Sequence, residues 1–116
     1  MALFDLLGRR WAMGIIWNLY RGPSTFRDLQ SACERKSGRI SPSILNSRIK
    51  DLKEASLLGR TLDGYELTPL GKELFVLLEP LDPWSNKWSA TLSVTHKRKL
   101  QQTRQSFQKL TIERHR

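Results

Sequence analysis

The chain has 116 residues, one cysteine and four tryptophans, is 39% hydrophobic, and carries 20 Lys and Arg against 11 Asp and Glu for a net charge of +9. That length supports one domain with a single core, and that apolar content favours folding over disorder. No run of about 18 apolar residues offers a membrane span, no basic leader with a cleavage site opens the chain, and a lone cysteine excludes an internal disulfide, so a reducing, cytoplasmic setting without membrane contact is expected.

The positive charge is unevenly spread. Residues 21–60 hold nine Lys and Arg against four Asp and Glu, residues 61–92 two against five, and residues 93–116 seven against one. Two basic segments flanking an acidic one suit a polyanion-binding surface kept apart from an assembly surface.

In chain order, Ala12, Ile15, Ile16 and Leu19 repeat at helical spacing and predict a first helix over about residues 8–20. Trp11, Met13, Trp17 and Tyr20 add a second apolar side, wider than one small core needs, and Gly22-Pro23 stops the helix. A second helix is predicted from about Thr25 to Arg35. Thr25 and Asp28 have capping-box spacing, and Phe26, Leu29 and Cys33 share a face, which makes core packing the default for Cys33 and a redox role the alternative. Glu34 to Ile40 then reads as a turn longer than the minimal three or four residues.

Ser41 as N-cap with Pro42 at the first helical position predicts a third helix, over about 41–56. Leu45, Ile49 and Leu52 form its inward stripe. Ser43, Asn46, Ser47, Lys50 and Lys53 fall on the opposite side, with Arg48 on the flank. Short polar and basic side chains of this kind suit base edges and phosphates. Leu58–Leu62 and Tyr65–Thr68 predict two short strands joined through Asp63-Gly64 in a type I′ turn.

Thr68-Pro69 restarts a helix by the same cap-plus-proline signal. Leu70, Leu74, Leu77, Leu81, Trp84 and Trp88 are spaced as a heptad seam, suited to pairing with a second copy or, alternatively, to burial in the protomer's own core. Pro80 and Pro83 predict a break near 79–83, where Asp82-Pro83 offers a cap for a second segment. From Ser93 onward the chain is polar and basic, with Leu100, Phe107 and Leu110 as a thin stripe. A marginal helix and a mobile arm both stay open there.

No enzyme site assembles. His96 and His115 lack companions at metal-ligand spacing, no Gly-rich phosphate loop occurs, and Ser41, Ser43 and Ser47 have no nearby histidine. Catalytic residues, metals and cofactors are therefore not expected.

The outline is mainly α with a small β-hairpin: a winged helix-turn-helix with terminal dimerisation helices. It resembles the HxlR family of bacterial and archaeal transcription regulators. The matching residues are Leu7-Gly8-Arg9-Arg10-Trp11, the run from Gly22 to Leu29, Ile40-Ser41-Pro42-Ser43-Ile44-Leu45 with Arg48 and Leu52, the run from Glu54 to Leu58, Tyr65-Glu66-Leu67-Thr68-Pro69-Leu70-Gly71, and the pair Trp84 and Trp88. The match runs over about residues 5–90, and its Gly-x-x-Trp helix, Ile-Ser-Pro entry and Trp pair are its more specific parts.

The resemblance implies a homodimer built by terminal helices, with two recognition helices in successive major grooves of double-stranded DNA. Ser43, Asn46, Ser47 and Lys50 would then face bases. Arg48, Arg39 and Lys53 would serve phosphates, Thr25 and Arg27 would anchor the backbone, and Arg60, Thr61 and Tyr65 would form the wing. The dimer interface would draw on Trp11, Trp17, Leu74, Leu77, Leu81, Trp84 and Trp88. Four departures stand out: a short wing, a long basic turn at 34–40, no cysteine ahead of the first helix where redox-sensing members carry theirs, and a basic extension without a family counterpart.

The expectation is a homodimeric, sequence-specific, nucleoid-associated regulator. Residues 1–92 would form the winged helix-turn-helix with its dimerisation helices, and 93–116 a basic polar extension. The alternatives are a winged-helix protein-interaction module and a sequence-indifferent nucleoid-type protein. Any effector is unknown; a pocket lined by Trp11, Trp17, Trp84 or Trp88 would be the place for one, with plain aromatic packing as the other use of those rings.

Overall fold

Residues 2–92 are described in the computed structural model; the extension 93–116, with its expected helix or arm, lies outside them. The order is α1 (Leu3–Leu7), α2 (Ala12–Tyr20), α3 (Phe26–Ser37), α4 (Pro42–Glu54), β1 (Leu58–Thr61), β2 (Gly64–Leu67), α5 (Pro69–Leu78) and α6 (Leu81–Thr91). Ile15, Ile16 and Leu19 of α2, Leu29 of α3, and Leu45 and Leu52 of α4 are fully enclosed. Each such side chain contributes about 1.5–3 kcal/mol on burial, so α2 is the strut on which α3 and α4 are braced. Cys33 joins this core at 3% exposure, as its helical spacing implied.

The first helix expected over 8–20 begins only at Ala12, and a short helix that was not expected, α1, precedes it. Residues 8–11 separate α1 from α2, and Trp11 takes a left-handed φ of 78°. Such strain costs about 1–3 kcal/mol. It is offset by burial of the indole, over which the Arg10 guanidinium lies at 4.8 Å while donating to the Ser37 carbonyl at 3.1 Å. The periodicity found α2 but could not reveal a turn held by contacts with a later helix.

The Thr25 hydroxyl caps α3 by accepting from the Asp28 amide at 3.2 Å. The helix runs on to Ser37 and ends at Gly38, whose φ of 88° is open to glycine at little cost. The turn into α4 is therefore only residues 38–41, which corrects the long turn expected from Glu34 to Ile40. Lys36, assigned to that turn, lies with Arg35 in the last helical turn, where cations suit the carbonyl end. Buried Ile40 and a bond from Gln30 Nε2 to the Ile40 carbonyl, 3.1 Å, pin the turn. Ser41 caps α4 as expected, its Oγ accepting from the Ile44 amide at 3.2 Å.

Strands β1 and β2 pair antiparallel with Leu58 opposite Leu67 and Thr61 opposite Gly64. The hairpin turn is thus Leu62-Asp63, one residue earlier than expected. Neither residue has the positive φ that a type I′ turn requires; that conformation falls on Gly64, at 122°. The Thr61 hydroxyl closes the turn, accepting from the Asp63 amide and donating to the Gly64 carbonyl.

The Thr68 hydroxyl caps α5 through the Gly71 amide and donates to the Ser56 carbonyl at 2.6 Å. The expected break falls at 79–80. Pro80, not Asp82, occupies the cap position of α6, and Pro83 sits within its first turn, where a missing N–H is tolerated. The heptad seam divides between two roles. Leu74 enters the core with Phe75 and Leu78, while Leu70, Leu77, Leu81, Trp84 and Trp88 stay exposed. Phe75 stacks on Tyr20 and meets Trp17 edge-on at 4.9 Å. No residue of α6 is buried.

Candidate nucleic-acid interface

The outer face of α4 follows from its period. With Leu45, Ile49 and Leu52 buried, Ser43, Asn46, Ser47, Lys50 and Lys53 are all exposed. Lys50 Nζ lies 4.0 Å from Glu54 Oε1, an exposed pair worth little and readily exchanged. Arg39 is exposed in the turn that leads into this helix, and Arg27 on the first turn of α3. Thr25 is exposed too, but its hydroxyl is committed to the cap.

The hairpin is fastened to α3 by backbone bonds that the sequence reading missed. Ser24 and Tyr65 form an antiparallel bridge, with N···O distances of 2.9 and 2.8 Å. Gly64 permits it: a Cβ there would meet the Ser24 carbonyl oxygen at 2.3 Å. The bridge makes the wing and the start of α3 one unit, with Thr25 and Arg27 following directly on the residue paired to the wing. Arg60 lies over the half-buried Tyr65 ring at 5.6 Å, and Leu62 projects fully from the tip.

Arg48 differs from the other basic residues assigned to phosphates. It is half-buried and bonded through Nη1 to Asp51 Oδ2, the same oxygen that Arg9 reaches at 2.8 Å from the segment between α1 and α2. The Arg48–Asp51 spacing of three along a helix was visible in the sequence; the arrival of Arg9 was not.

Of the residues assigned to a dimer interface, Trp11 and Leu74 lie in the protomer's own core and Trp17 is packed against it. Leu77, Leu81, Trp84 and Trp88 are exposed, the two indoles parallel with centroids 6.4 Å apart. A groove of about 910 Å³ runs between α1, the end of α4 and α5, lined mainly by Leu3, Leu6, Leu57, Leu70, Leu74 and Leu77 with Asp51, Glu54 and Glu73. No tryptophan lines it, in contrast to the aromatic pocket considered from the sequence.

Burial pushes the Cys33 thiol up to about 11, an effect that Glu34 adds to and Lys36 partly offsets. A thiol so held is protonated and inert at neutral pH. Among the described residues no group of three or more His, Cys, Asp and Glu could hold a metal ion, and no helix is long and apolar enough to cross a membrane.

Comparison with known proteins agrees with this architecture. A relative from Methanocaldococcus jannaschii, the uncharacterized HTH-type transcriptional regulator MJ0925, is 25% identical over 88 residues, covering 76% of this chain and 83% of its own. The structure of quinone-bound YodB from Bacillus subtilis superposes with a TM-score of 0.65 at 30% identity, over 72% of this chain and 91% of that one. A possible HxlR family transcriptional factor from Thermoplasma volcanium gives a TM-score of 0.65 at 31% identity, over 78% and 84%. The model of the HxlR-like helix-turn-helix matches residues 6–93. The chain therefore belongs to the HxlR-like helix-turn-helix family of DNA-binding transcription regulators, which are not enzymes.

Proposed function

We propose that this regulator acts as a homodimer on specific double-stranded DNA, with α4 in the major groove. One observation carries the reading: α4 shows a one-sided polar and basic face, next to a wing stapled to the start of α3. Ser43, Asn46, Ser47 and Lys50 read bases. Arg39 and Lys53 contact phosphates, Thr25 and Arg27 approach the backbone, and Arg60, Thr61 and Tyr65 present the wing. Exposed cations on one side of α4 favour DNA over an acidic protein partner, which would be served as well by an even spread.

The second copy pairs through Leu77, Leu81, Trp84 and Trp88, apolar side chains that the protomer leaves uncovered. Two recognition helices then stand one DNA turn apart, roughly 34 Å, on an inverted repeat. The working site is the cytoplasmic nucleoid. The test is selection of bound duplexes from a random pool with the purified protein, followed by band shifts. An enriched inverted repeat is expected, with affinity falling about three to five decades between 50 and 200 mM salt if about six to ten phosphates are neutralised. Retention of every sequence alike, lost on removing residues 94–116, would support the nucleoid-type alternative and overturn this one.

A further inference from the structure

The pairing of Arg48 has a chemical oddity. Asp51 Oδ2 accepts a hydrogen bond from Nη1 of Arg48 and is ion-paired with Nη1 of Arg9, so one carboxylate oxygen serves two guanidinium groups. The Nε of Arg48 is buried and has no acceptor among the described residues. A guanidinium prefers two parallel bonds to an oxyanion, and a phosphate group offers the matching pair of oxygens. Arg48 is thus engaged end-on by an acceptor that leaves its better edge unused. It sits on the flank of α4 next to exposed Ser47, and its side chain keeps 19% exposure.

We propose that Asp51 is a specificity-determining residue: its carboxylate stands in for a DNA phosphate, holding Arg48 and Arg9 until a matched duplex seats against α4 and a backbone phosphate takes over Arg48. This rests on the DNA reading above. On mismatched DNA, α4 does not approach closely enough for the exchange, so Arg48 adds nothing there. On matched DNA it adds a contact that uses Nε as well as Nη. The device widens the gap between matched and mismatched binding by suppressing sequence-blind phosphate attraction, which in a chain of net charge +9 is strong.

The probes are the selected duplex and its scrambled counterpart, titrated between 50 and 200 mM salt. Asp51→Asn should bind the scrambled duplex about tenfold tighter near 0.1 M salt, with a log–log slope steeper by about 1 to 2. Arg48→Gln should weaken the matched complex several-fold more than the scrambled one, and Asp51→Asn with Arg48→Gln should lose the gain. Glu73→Gln, which removes the same charge from the same groove, should leave the slope unchanged. An unchanged slope for Asp51→Asn, or the same steepening from Glu73→Gln, overturns the proposal. If melting curves show that Asp51→Asn does not fold, Arg48→Gln decides: equal losses on both duplexes, or none, overturn it. Wild-type protein that fails to distinguish the two duplexes refutes the DNA reading and this proposal together. Discrimination by wild type with no effect of the variants refutes the proposal alone.

Discussion

Asn46 and Lys50 lie one turn apart on the open face of α4, and neither supports the core. Truncating either to Ala is expected to cost about 1–3 kcal/mol of binding and to relax base preference, while leaving the melting temperature nearly unchanged. Arg39→Ala should weaken matched and scrambled duplexes alike and flatten the salt slope. Band shifts on both duplexes separate the two patterns, and equal losses for Asn46→Ala and Arg39→Ala would cancel the assigned roles. Cys33 supplies a test of packing. Its folded thiol titrates near 11, above the ordinary 9.0, so the folded state keeps its proton where the unfolded state has lost it. Stability from this group is intact below pH 9 and falls as pH rises towards 11, by about 1–3 kcal/mol. Urea titrations at pH 8 and pH 10.5 should show the drop, and Cys33→Ala should abolish it.

Among the elements, helix starts were the most legible. Thr25, Ser41 and Thr68 each accept from the amide three residues on, and Pro42 and Pro69 follow the last two caps, because a cap is written in adjacent residues. The outer face of α4 was legible for a similar reason, since period alone separates it from the buried stripe. The hairpin turn was not. Local preference points to Asp63-Gly64, but contact with Ser24, far off in sequence, needs the glycine beside the strand and moves the turn back. Likewise the break before α2 depends on Trp11 and Arg10 meeting later elements, and the state of Arg48 depends on Arg9. Gly64→Ala tests the hairpin account. Its Cβ has no room against the Ser24 carbonyl, so about 1–3 kcal/mol of destabilisation is expected, with loss of hydrogen-exchange protection at the Tyr65 amide. Unaltered protection would mean that the wing hangs on something else.

For the molecule as a whole, the seam readings separate cleanly. The protomer's core is closed by α1 to α5, and the exposed apolar side chains of α5 and α6 face away from it. In the proposed dimer, Leu81→Glu or Trp88→Glu should shift sedimentation from two copies to one at micromolar concentration. Binding to the inverted repeat should fall with it, and the protomer should stay folded, because neither side chain contributes to its core. A variant that remains dimeric would move the interface elsewhere.

Helix α6 has 11 residues and buries none of them. Segments of that length are marginal on their own in water. In the proposed dimer its winding is linked to company: a solitary molecule would carry a frayed end, and a second molecule would supply the wall against which the coil tightens. Dilution should then erode helical circular dichroism while the tryptophan emission of the inner rings, Trp11 and Trp17, holds steady. Abundance inside the cell would itself set how much of the chain is shaped for its task.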